Sequence, residues 1–320
     1  MLSQGMEKKE IIKVLDNLDK FIVKGTVKKG RGRNKEYDEI TILKLLVLLT
    51  LAKISYRGAK GFLEGNGEYI EYLGLKTIPS FQTLSRRARQ LPFHEIVQKA
   101  TTLFTDAEGL ERKEVAVDSF VSKSCKGSTA QRRRKRGKYK DQGASWTKTN
   151  KGWQYGRKVH ISLDLVNKLI IDWIITGGST HDSKVAPKMA DTCKGFKYIL
   201  ADSAYDSNQF YGYIFEKTGL IPVIDINRRR GLDTEKQKQF RWLAIGLKKL
   251  HSLRYQLREE IERTNSILEG ILDSEFIWYT RNRDFDTAIG LKILTYNLVV
   301  IYNHLHHRSL RKIMDIIHAI

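Results

Sequence analysis

The sequence predicts an α/β protein in which an all-helical N-terminal domain precedes a mixed five-stranded sheet flanked by helices. Residues 1–107 carry helical periodicity, whereas short apolar strand patterns begin near residue 114. Three successive strand patterns are followed by strands that alternate with helices, an order typical of a mixed sheet covered by helices. Because 320 residues suit two ordinary domains, we expect domains at 1–107 and 108–320.

The charge balance indicates a polyanionic partner. The chain has 57 lysines and arginines against 36 acidic residues, a formal net charge of +21, and such an excess most often serves nucleic-acid binding. Cys125 and Cys193 match no metal-binding spacing and are too few for a disulfide framework, which favours a reducing cytosol. The apolar runs 40–52 and 289–302 are too short or too interrupted for a membrane span, so we expect buried helices there.

The N-terminal domain contains a well-delimited helix over residues 80–91. Ser80 is a good N-cap and Pro92 is a stop signal. Arg86 and Arg89 lie together with Gln82 on the polar face of this helix. The apolar face consists of Phe81, Leu84, Ala88 and Leu91. We interpret the region as a helix-turn-helix-like, DNA-binding unit, with Arg86 and Arg89 on its recognition helix as candidate DNA contacts.

Apolar runs and turn residues define the elements of the second domain. The five predicted strands are 115–118, 158–165, 169–176, 198–202 and 220–226. The predicted helices are 183–193, 208–217, 234–270 and 285–306.

Two aspartates end or interrupt apolar strands. Asp118 stands in the run Val-Ala-Val-Asp-Ser-Phe, and Asp202 stands in Tyr-Ile-Leu-Ala-Asp-Ser. In open α/β sheets, the groups at the carboxyl ends of strands line the functional crevice. Either aspartate alone is also explained as the cap of a turn, but two carboxylates buried near each other are costly without a cation. The pair therefore indicates a cation site.

A third carboxylate is needed for a two-metal site, and the long helix predicted over 234–270 offers three glutamates. Periodicity places Glu262 beside the apolar face, in line with Tyr255 and Arg258. The two preceding glutamates, at 259 and 260, point away from this line or lie less directly along it. The apolar face consists of Leu250, Leu253, Leu257, Ile261 and Leu268. A solvated Glu262 paired with Arg258 is an equally good interpretation.

Hard oxygen ligands without a Cys/His cluster suit Mg²⁺ or Mn²⁺ rather than Zn²⁺. Two such ions about 3.5–4 Å apart can activate an attacking hydroxyl and stabilise the leaving oxygen of a phosphodiester. The positive charge of the chain agrees with a phosphodiester substrate.

A basic run follows the first strand. Seven of the nine residues at 132–140 are basic, so we expect a loop that repels itself and orders only against phosphates. A solvated linker is the alternative interpretation. A second basic cluster follows the fifth strand, on the same edge as Asp202. The candidate phosphate contacts are Arg132, Arg133, Arg134, Lys135, Arg136, Arg228, Arg229 and Arg230.

Five motifs in the expected order resemble those of one enzyme family. The residues before Asp118 resemble its first-strand motif, and Ala-Asp-Ser-Ala-Tyr-Asp at 201–206 resembles its second-Asp motif. Residues 155–160 are similar to a G-x-K-x-H strand, and 180–183 to a His-Asp-Ser turn. The fifth motif, Tyr-x2-Arg-x3-Glu, is matched by Tyr255, Arg258 and Glu262. The family is that of the DDE transposases of bacterial and archaeal insertion sequences, in the superfamily of families four and five.

The resemblance implies an RNase H-like catalytic core over about 110–306. It implies a transposase that binds the terminal inverted repeats of its element, cleaves the DNA ends and joins the 3′-hydroxyl to target DNA. Asp118, Asp202 and Glu262 would hold two Mg²⁺ (or Mn²⁺) ions, and Tyr255 and Arg258 would contact DNA. Self-association in a synaptic complex and a location in the prokaryotic cytoplasm, at the nucleoid and away from membranes, follow from the same resemblance.

The sequence departs from the family signature at Glu269, where lysine is expected, and Arg281 or Arg283 is the candidate substitute for its phosphate contact. Asp182 is a competing second acid, which we interpret as a helix cap. Two other functions stay open. A purely hydrolytic RNase H-like nuclease or resolvase needs the same carboxylates but no target capture. A domesticated DNA-binding protein would have a dead site, against which the presence of all three acids counts.

Overall fold

The chain forms two compact units in the computed structural model, which describes residues 2–21, 36–135, 141–149, 151–227, 239–310 and 312. We call Met1–Glu108 together with Asn282–Ile320 the helical unit, and Gly109–Arg281 the sheet unit. The first division lies one residue from the expected boundary. Residues 282–320, which we expected in the second domain, group instead with the N-terminal helices.

The helical unit is built around apolar helices. Its described helices are α1 (Leu2–Phe21), α2 (Glu39–Leu51), α3 (Ala59–Glu64), α4 (Gly67–Tyr72), α5 (Phe81–Ala88), α6 (Phe93–Ala107) and α13 (Asn282–Leu305). Asp38 caps α2, because its carboxylate accepts a hydrogen bond from the backbone N–H of Thr41 at 2.6 Å. Eight of the 13 residues of α2 are buried, as the apolar run predicts.

The C-terminal helix α13 lies at the centre of this unit. It packs against α1, α2 and α6, and fifteen of its 24 residues are buried. Its length and composition alone would allow it to cross a membrane, but most of its apolar stretch is buried inside the protein. The helix therefore has the packing of a core helix, as the sequence predicts.

Six strands form one mixed sheet in the described part of the sheet unit. They are β1 (Glu114–Lys123), β2 (Ser145–Thr149), β3 (Gly152–Asp164), β4 (Ile170–Gly177), β5 (Tyr198–Ala201) and β6 (Ile221–Ile224). The order across the sheet is β2-β3-β1-β5-β6, and β4 pairs with β3. β1 runs antiparallel to β3 and parallel to β5, and β5 runs parallel to β6. The mixed α/β sheet is confirmed, with six strands rather than five.

Two strand predictions need correction. β2 was not predicted because its sequence, Ser-Trp-Thr-Lys-Thr, has no apolar run and its residues lie mostly half-buried. β1 continues to Lys123, five residues beyond the predicted end at 118. Residues 119–123 alternate between buried and half-buried positions, and this short alternation lacks the continuous apolar character that marks the first half of the strand.

Helices cover the sheet on both faces. The described helices are α7 (Gly127–Lys135), α8 (Asp182–Thr192), α9 (Asn208–Tyr213), α10 (Gln239–Leu250), α11 (Ser252–Tyr255) and α12 (Glu259–Ser266). Val115 and Val117 of β1 belong to the buried cluster that contains residues of α8 and α9. Because side chains alternate along a strand, Asp118 points to the opposite face, where it contacts Asn265 of α12.

The helix predicted as continuous over 234–270 is segmented. A 3₁₀ turn (Gln256–Arg258) separates α11 from α12, and a π-helical turn (Ile267–Ile271) follows α12. Three 3₁₀ residues rotate the following face by about 60° relative to a regular α-helix. The predicted apolar face is therefore divided: Leu250, Leu253 and Leu257 are exposed, whereas Ile261 and Leu268 are buried.

We expect Gly156→Ala to destabilise the sheet unit strongly. Gly156 of β3 lies opposite Lys123 of β1, and an alanine Cβ there would be 2.2 Å from the backbone oxygen of Ser122. The strands must separate locally, so the free energy of unfolding in urea should fall by about 3 kcal/mol or more. Gly246→Ala is the control, because no atom lies within 4 Å of its added Cβ; it should be neutral or stabilising by up to about 1 kcal/mol. An unchanged urea midpoint for Gly156→Ala would contradict this strand register.

Candidate active site

Asp118 and Asp202 lie on neighbouring parallel strands. Ala116 of β1 is paired with Leu200 of β5, so the two aspartates, each two residues further along, continue the same register. Asp118 lies within β1, and Asp202 directly follows the last residue of β5. Both side chains are half-buried. The structure thus brings together the two aspartates that the strand patterns single out.

Burial and like charge perturb both carboxylates. Burial raises the pKa of Asp118 to about 7; the positive charge of Arg258 opposes the increase, and the charge of Asp202 adds to it. Burial also raises the pKa of Asp202, against the hydrogen bond donated by the backbone N–H of Ala204 at 2.9 Å. Two adjacent carboxylates whose ionised forms are disfavoured are a recognised feature of cation-binding and catalytic sites.

Arg258 supplies the positive charge of this site. Burial would lower the pKa of its guanidinium, but the surrounding negative groups, Asp118 first and Asp202 and Glu262 after it, raise that pKa overall. Arg258 donates a hydrogen bond to the Glu262 carboxylate at 2.5 Å. One guanidinium therefore interacts with all three acids that the sequence predicts as metal ligands.

Tyr255 lies beside Arg258. Burial raises the pKa of its phenol to about 12, so the hydroxyl is neutral and can donate a hydrogen bond at physiological pH. The Lys248 ammonium lies 3.2 Å from the centre of its ring, a cation–π contact. Tyr255 and Arg258, the two predicted DNA contacts of the signature, thus lie next to the paired aspartates.

Glu262 does not join the two aspartates. Its side chain is 60% exposed and pairs with Arg258 one helical turn earlier. Asn265, three residues later, donates a hydrogen bond to Asp118 at 3.1 Å, so Glu262 lies on a helix that faces the site. Within the described residues, no three acidic, histidine or cysteine side chains are close enough to hold a metal ion together. In the structure Glu262 is paired with Arg258. That Asp118, Asp202 and Glu262 together hold metal ions stays a prediction.

The two other glutamates of α12 lie away from the aspartates. Glu260 is buried and pairs with Lys168 at 3.2 Å and with Arg263 at 3.3 Å. Glu259 is exposed and pairs with Arg263 at 3.0 Å. Neither contact involves the paired aspartates.

Side chains from two strands hold Asp182. The interpretation of Asp182 as a helix cap did not predict these contacts. It accepts hydrogen bonds from Ser119 of β1 at 3.1 Å and from Lys158 of β3 at 3.0 Å, and His160 lies 3.6 Å away. The N-cap of α8 is instead His181. The signal in the sequence is the Lys-x-His spacing, because residues two apart in a strand share a face.

His160 is neutral at physiological pH. Burial lowers its pKa to about 4, and the nearby Asp182 opposes this decrease. Its Nε2 atom lies within hydrogen-bond distance, 2.9 Å, of the Thr176 hydroxyl. Asp182 is also close enough to the paired aspartates for its negative charge to add to the raised pKa values of Asp118 and Asp202.

Glu269 occupies the signature position where lysine is expected. Burial raises the pKa of this half-buried glutamate, and the charges of Lys151 and Lys123 oppose that increase. Two ammonium groups thus lie near the position, one from the β2–β3 connection and one from the end of β1. Arg283, one of the expected substitutes, donates instead to the backbone carbonyl of Arg89 inside the helical unit.

The predicted recognition helix exists as α5. Ser80 caps it, since its hydroxyl accepts from the backbone N–H of Thr83 at 3.3 Å. Arg86 is exposed, whereas Arg89 pairs with Asp284 at 2.6 Å. Leu84 and Ala88 are buried as predicted, but Phe81 is exposed.

Residues 132–135 of the basic run belong to the helix α7, which corrects the expected loop at these four positions; residues 136–140 lie outside the described residues. Arg132 is exposed on this helix. The side chains of Arg133, Arg134 and Lys135 lie outside the described residues. Also outside them are Arg136, Arg228, Arg229 and Arg230.

Residues 109–298 match the family model of the transposase DDE domain, and the chain belongs to this family. It is therefore a DDE transposase, an enzyme of DNA cleavage and strand transfer. Members of the family generally use divalent metal ions. Among curated protein sequences, none matches the chain.

Among solved structures, the chain is similar to a piggyBac transposase determined by cryo-EM in a synaptic complex with hairpin DNA. The two chains are 11% identical, with a TM-score of 0.46, over 97% of this chain and 76% of the other.

We expect Asp118→Asn to stabilise the metal-free protein at alkaline pH. Because folding raises the Asp118 pKa from about 3.9 to about 7, ionisation destabilises the fold, and this cost develops as pH rises through that interval. At pH 8 with EDTA, the free energy of unfolding of the asparagine variant should exceed that of the wild type by about 1–2 kcal/mol. This figure allows for the partial exposure of the Asp118 side chain. Below about pH 3 the Asp118 carboxyl is neutral in both the folded and the unfolded protein, so the gain should disappear. Asp225→Asn, at an exposed position, is the control in thermal melts, and equal melting temperatures of wild type and Asp118→Asn at pH 8 would contradict the raised pKa.

Proposed function

We propose that this chain is the transposase of an insertion sequence that binds the element's terminal inverted repeats, cleaves the DNA ends and joins the 3′-hydroxyl to target DNA. The observation that carries the proposal is the adjacent pair Asp118 and Asp202 with Arg258 beside it, in a chain of the DDE family. The net charge of +21 supports double-stranded DNA as the substrate, both as element end and as target.

The donor groups fit a divalent cation. Asp118 and Asp202 are hard oxygen ligands on neighbouring strands, and the side-chain oxygen of Asn265 is buried without a hydrogen-bond partner among the described residues. Asp118, Asp202 and Glu262 would hold two Mg²⁺ (or Mn²⁺) ions, and Glu262 would exchange its pair with Arg258 for this role. Bound there, the ions would activate the attacking hydroxyl and stabilise the leaving oxygen.

The protein's own groups prepare the site for a phosphodiester. Asn265 holds one oxygen of Asp118, and the Ala204 N–H holds one oxygen of Asp202, so both carboxylates have fixed orientations. Arg258, once released from Glu262, presents a guanidinium that suits bidentate contact with a phosphate. Tyr255 presents a neutral hydroxyl that can donate to a phosphate oxygen.

DNA binding would divide between two sets of residues. Arg86 and Arg89 in the helical unit would read the inverted repeat, with Arg89 giving up its pair with Asp284. The basic residues 132–136 and 228–230 would contact phosphates irrespective of sequence. The protein would act in the cytoplasm at the nucleoid, where its DNA substrates are.

We expect strand transfer from a pre-cut element end. With Mg²⁺ or Mn²⁺, an oligonucleotide with a free 3′-hydroxyl should become covalently joined to a supercoiled plasmid, whereas a 3′-dideoxy end should give no product. Ca²⁺ should permit assembly without chemistry. Cleavage of cognate ends with no joining under any divalent metal would favour the purely hydrolytic nuclease, since water and a 3′-hydroxyl use the same carboxylates.

Alanine at Asp118, Asp202 or Glu262 should abolish cleavage and joining in the same assay, while end binding and folding stay nearly intact. Glu259→Ala is the matched control, because this glutamate is exposed on the same helix and, among the described residues, its ion pair is with Arg263. An inactive Glu259→Ala protein together with an active Glu262→Ala protein would show that the third acid is assigned wrongly.

We expect DNA affinity to separate into specific and non-specific parts. Arg86→Ala should reduce the preference for element ends over random duplex, by a factor of about 10. Neutralising 132–136 should weaken binding to all sequences alike and flatten the salt dependence. Competition binding at several salt concentrations measures both effects. Equal losses on element ends and random duplex for both variants would remove the recognition-helix assignment.

A further inference from the structure

Asp206, four residues after Asp202, belongs to a buried ion pair. Asp206 is fully buried, and its partner Arg241, the third residue of α10, is 5% exposed. The Nε atom of Arg241 lies 3.0 and 3.1 Å from the two carboxylate oxygens, and its Nη2 atom lies 2.9 Å from one of them. Two nitrogens of a planar guanidinium on one carboxylate fix the direction of the contact as well as its distance.

Further donors complete the surroundings of this pair. The Tyr211 hydroxyl of α9 donates to Asp206 at 3.0 Å, and the backbone N–H of Asn227, three residues after β6, donates to it at 2.9 Å. The main chain of Arg241 is held as well, because its N–H donates to the side chain of Asn208 at 3.2 Å. The pair therefore joins three parts of the sheet unit: the segment after β5, the residues after β6 and the first turn of α10.

Stability alone is a weak reason for a buried ion pair. Taking two charges out of water is costly, and well-packed apolar side chains of similar volume often replace such a pair without loss of stability. The pair differs from apolar packing in its specificity. Any arrangement that separates the two charges leaves each of them buried without compensation, so the segments that the pair joins are held in one relative position.

A 3₁₀ turn, Ser203–Tyr205, connects this pair with Asp202. Asp202 lies at the N-terminal end of the turn, and Asp206 lies at its C-terminal end. The Ala204 N–H donates to the Asp202 carboxylate at 2.9 Å, and the Asp206 N–H donates to the Ser203 carbonyl at 3.3 Å. Because the turn is so short, anchoring Asp206 also fixes the N–H group that orients the Asp202 carboxylate.

Arg241 connects the pair to the helical segment that carries Arg258. α10 packs against β6 and α9, and it leads through α11 into the 3₁₀ turn that contains Arg258. Since both the guanidinium and the main-chain N–H of Arg241 are bound, the first turn of α10 cannot shift along the sheet without breaking a buried contact. The pair thus links the two segments that supply Asp202 and Arg258 to the candidate active site.

We propose that Asp206 and Arg241 are positioning residues, which hold the Asp202 carboxylate in the direction that a cation and a phosphodiester require. They act through the Ser203–Tyr205 turn and not by contact with DNA. The role in the reaction rests on the proposed function, because it assigns Asp202 to the reacting centre. The restraint of the turn does not rest on it, since the contacts exist in the protein alone.

Hydrogen–deuterium exchange of the full chain, without DNA and with EDTA, tests the restraint. Arg241→Lys keeps the charge but loses the planar fork, and Arg241→Met loses both. The backbone amides of 204–206, read by mass spectrometry, should exchange about 10-fold faster or more in Arg241→Met, because the turn opens locally. Arg241→Lys should lie between Arg241→Met and the wild type. The amides of β3 should exchange as in the wild type, which separates release of the turn from loss of folding.

Asp164→Asn is the matched control. Asp164 is as fully buried as Asp206 and accepts two backbone N–H groups of a turn, at 2.9 and 3.0 Å. It is paired with Val115 at the start of β1, away from the segment after β5. The Asp164→Asn protein should therefore show wild-type exchange at 204–206.

Joining kinetics test the role in the reaction. Arg241→Lys should lower kcat for joining by about 10- to 100-fold, because a misplaced carboxylate costs rate even when the altered residue is remote. The KM for the element end should stay within about twofold of the wild type, since the buried Arg241 side chain binds the protein's own groups. Asp164→Asn should retain the wild-type kcat. An unfolded fraction lowers the apparent kcat only in proportion to its population, which the melting curve gives.

The two measurements separate this proposal from the proposed function. Unchanged exchange at 204–206 in both Arg241 variants, or equally fast exchange in Asp164→Asn, would overturn the positioning role. So would a released turn together with an unchanged kcat. A wild type that joins no DNA, while the Arg241 variants release the turn, would refute the proposed function and leave the restraint of Asp202 by Asp206 and Arg241 standing.

Discussion

The positive charge of Arg258 offsets the negative charges of Asp118, Asp202 and Glu262 at the candidate active site. Parallel pairing of β1 with β5 forces Asp118 and Asp202 to be neighbours, and burial makes their mutual repulsion costly. Arg258 opposes that cost from a helix segment on the other side of the site. The position of Arg258 therefore links two properties of the site. It depends on how the helix segment packs on the sheet, and it affects how readily the two aspartates ionise.

The same linkage explains why Glu262 is exposed. With Arg258 beside the aspartates, the carboxylate of Glu262 completes a pair on the outer side of the guanidinium. A cation between the aspartates would take over the neutralising role of Arg258. Glu262 and Arg258 would then both be available, one as a ligand and the other as a phosphate contact, which is what the proposed reaction requires of them.

β1 is fixed by polar contacts on both of its faces. Asp118 is held by Asn265 on one face, and the next residue, Ser119, donates to Asp182 on the other. Lys158 stabilises the Asp182 carboxylate from β3. Contacts to a charged group contribute more than contacts between neutral groups, so the position of Asp118 along the strand is set by several directional interactions and not by packing alone.

The sequence predicts what depends on local pattern. The order of strands and helices, the cap at Ser80 and the adjacency of Asp118 and Asp202 all follow from periodicity, capping chemistry and strand order. Features that depend on long-range packing were predicted less well. β2 lacks an apolar signature, and its place is fixed by pairing with β3.

Helix phase is the other limit of sequence reasoning. A regular α-helix has 3.6 residues in every turn, whereas the 3₁₀ turn at Gln256–Arg258 has about three. Leu250, Leu253 and Leu257 are exposed for this reason, while Glu262 still lies in line with Arg258 because the two residues are one turn apart across the start of α12. The grouping of α13 with the N-terminal helices is likewise a tertiary contact, and no local pattern marks it.

The place of α13 has a consequence for how the protein is made. α1 to α6 leave the ribosome first, but the helix they pack against is synthesised only after the whole sheet unit. The N-terminal helices must therefore wait, partly unpacked, while the sheet unit folds as an independent body. Premature termination upstream of residue 282 removes their common core, so truncated products should be unstable and cleared by proteolysis instead of persisting as DNA-binding fragments that compete with the intact enzyme.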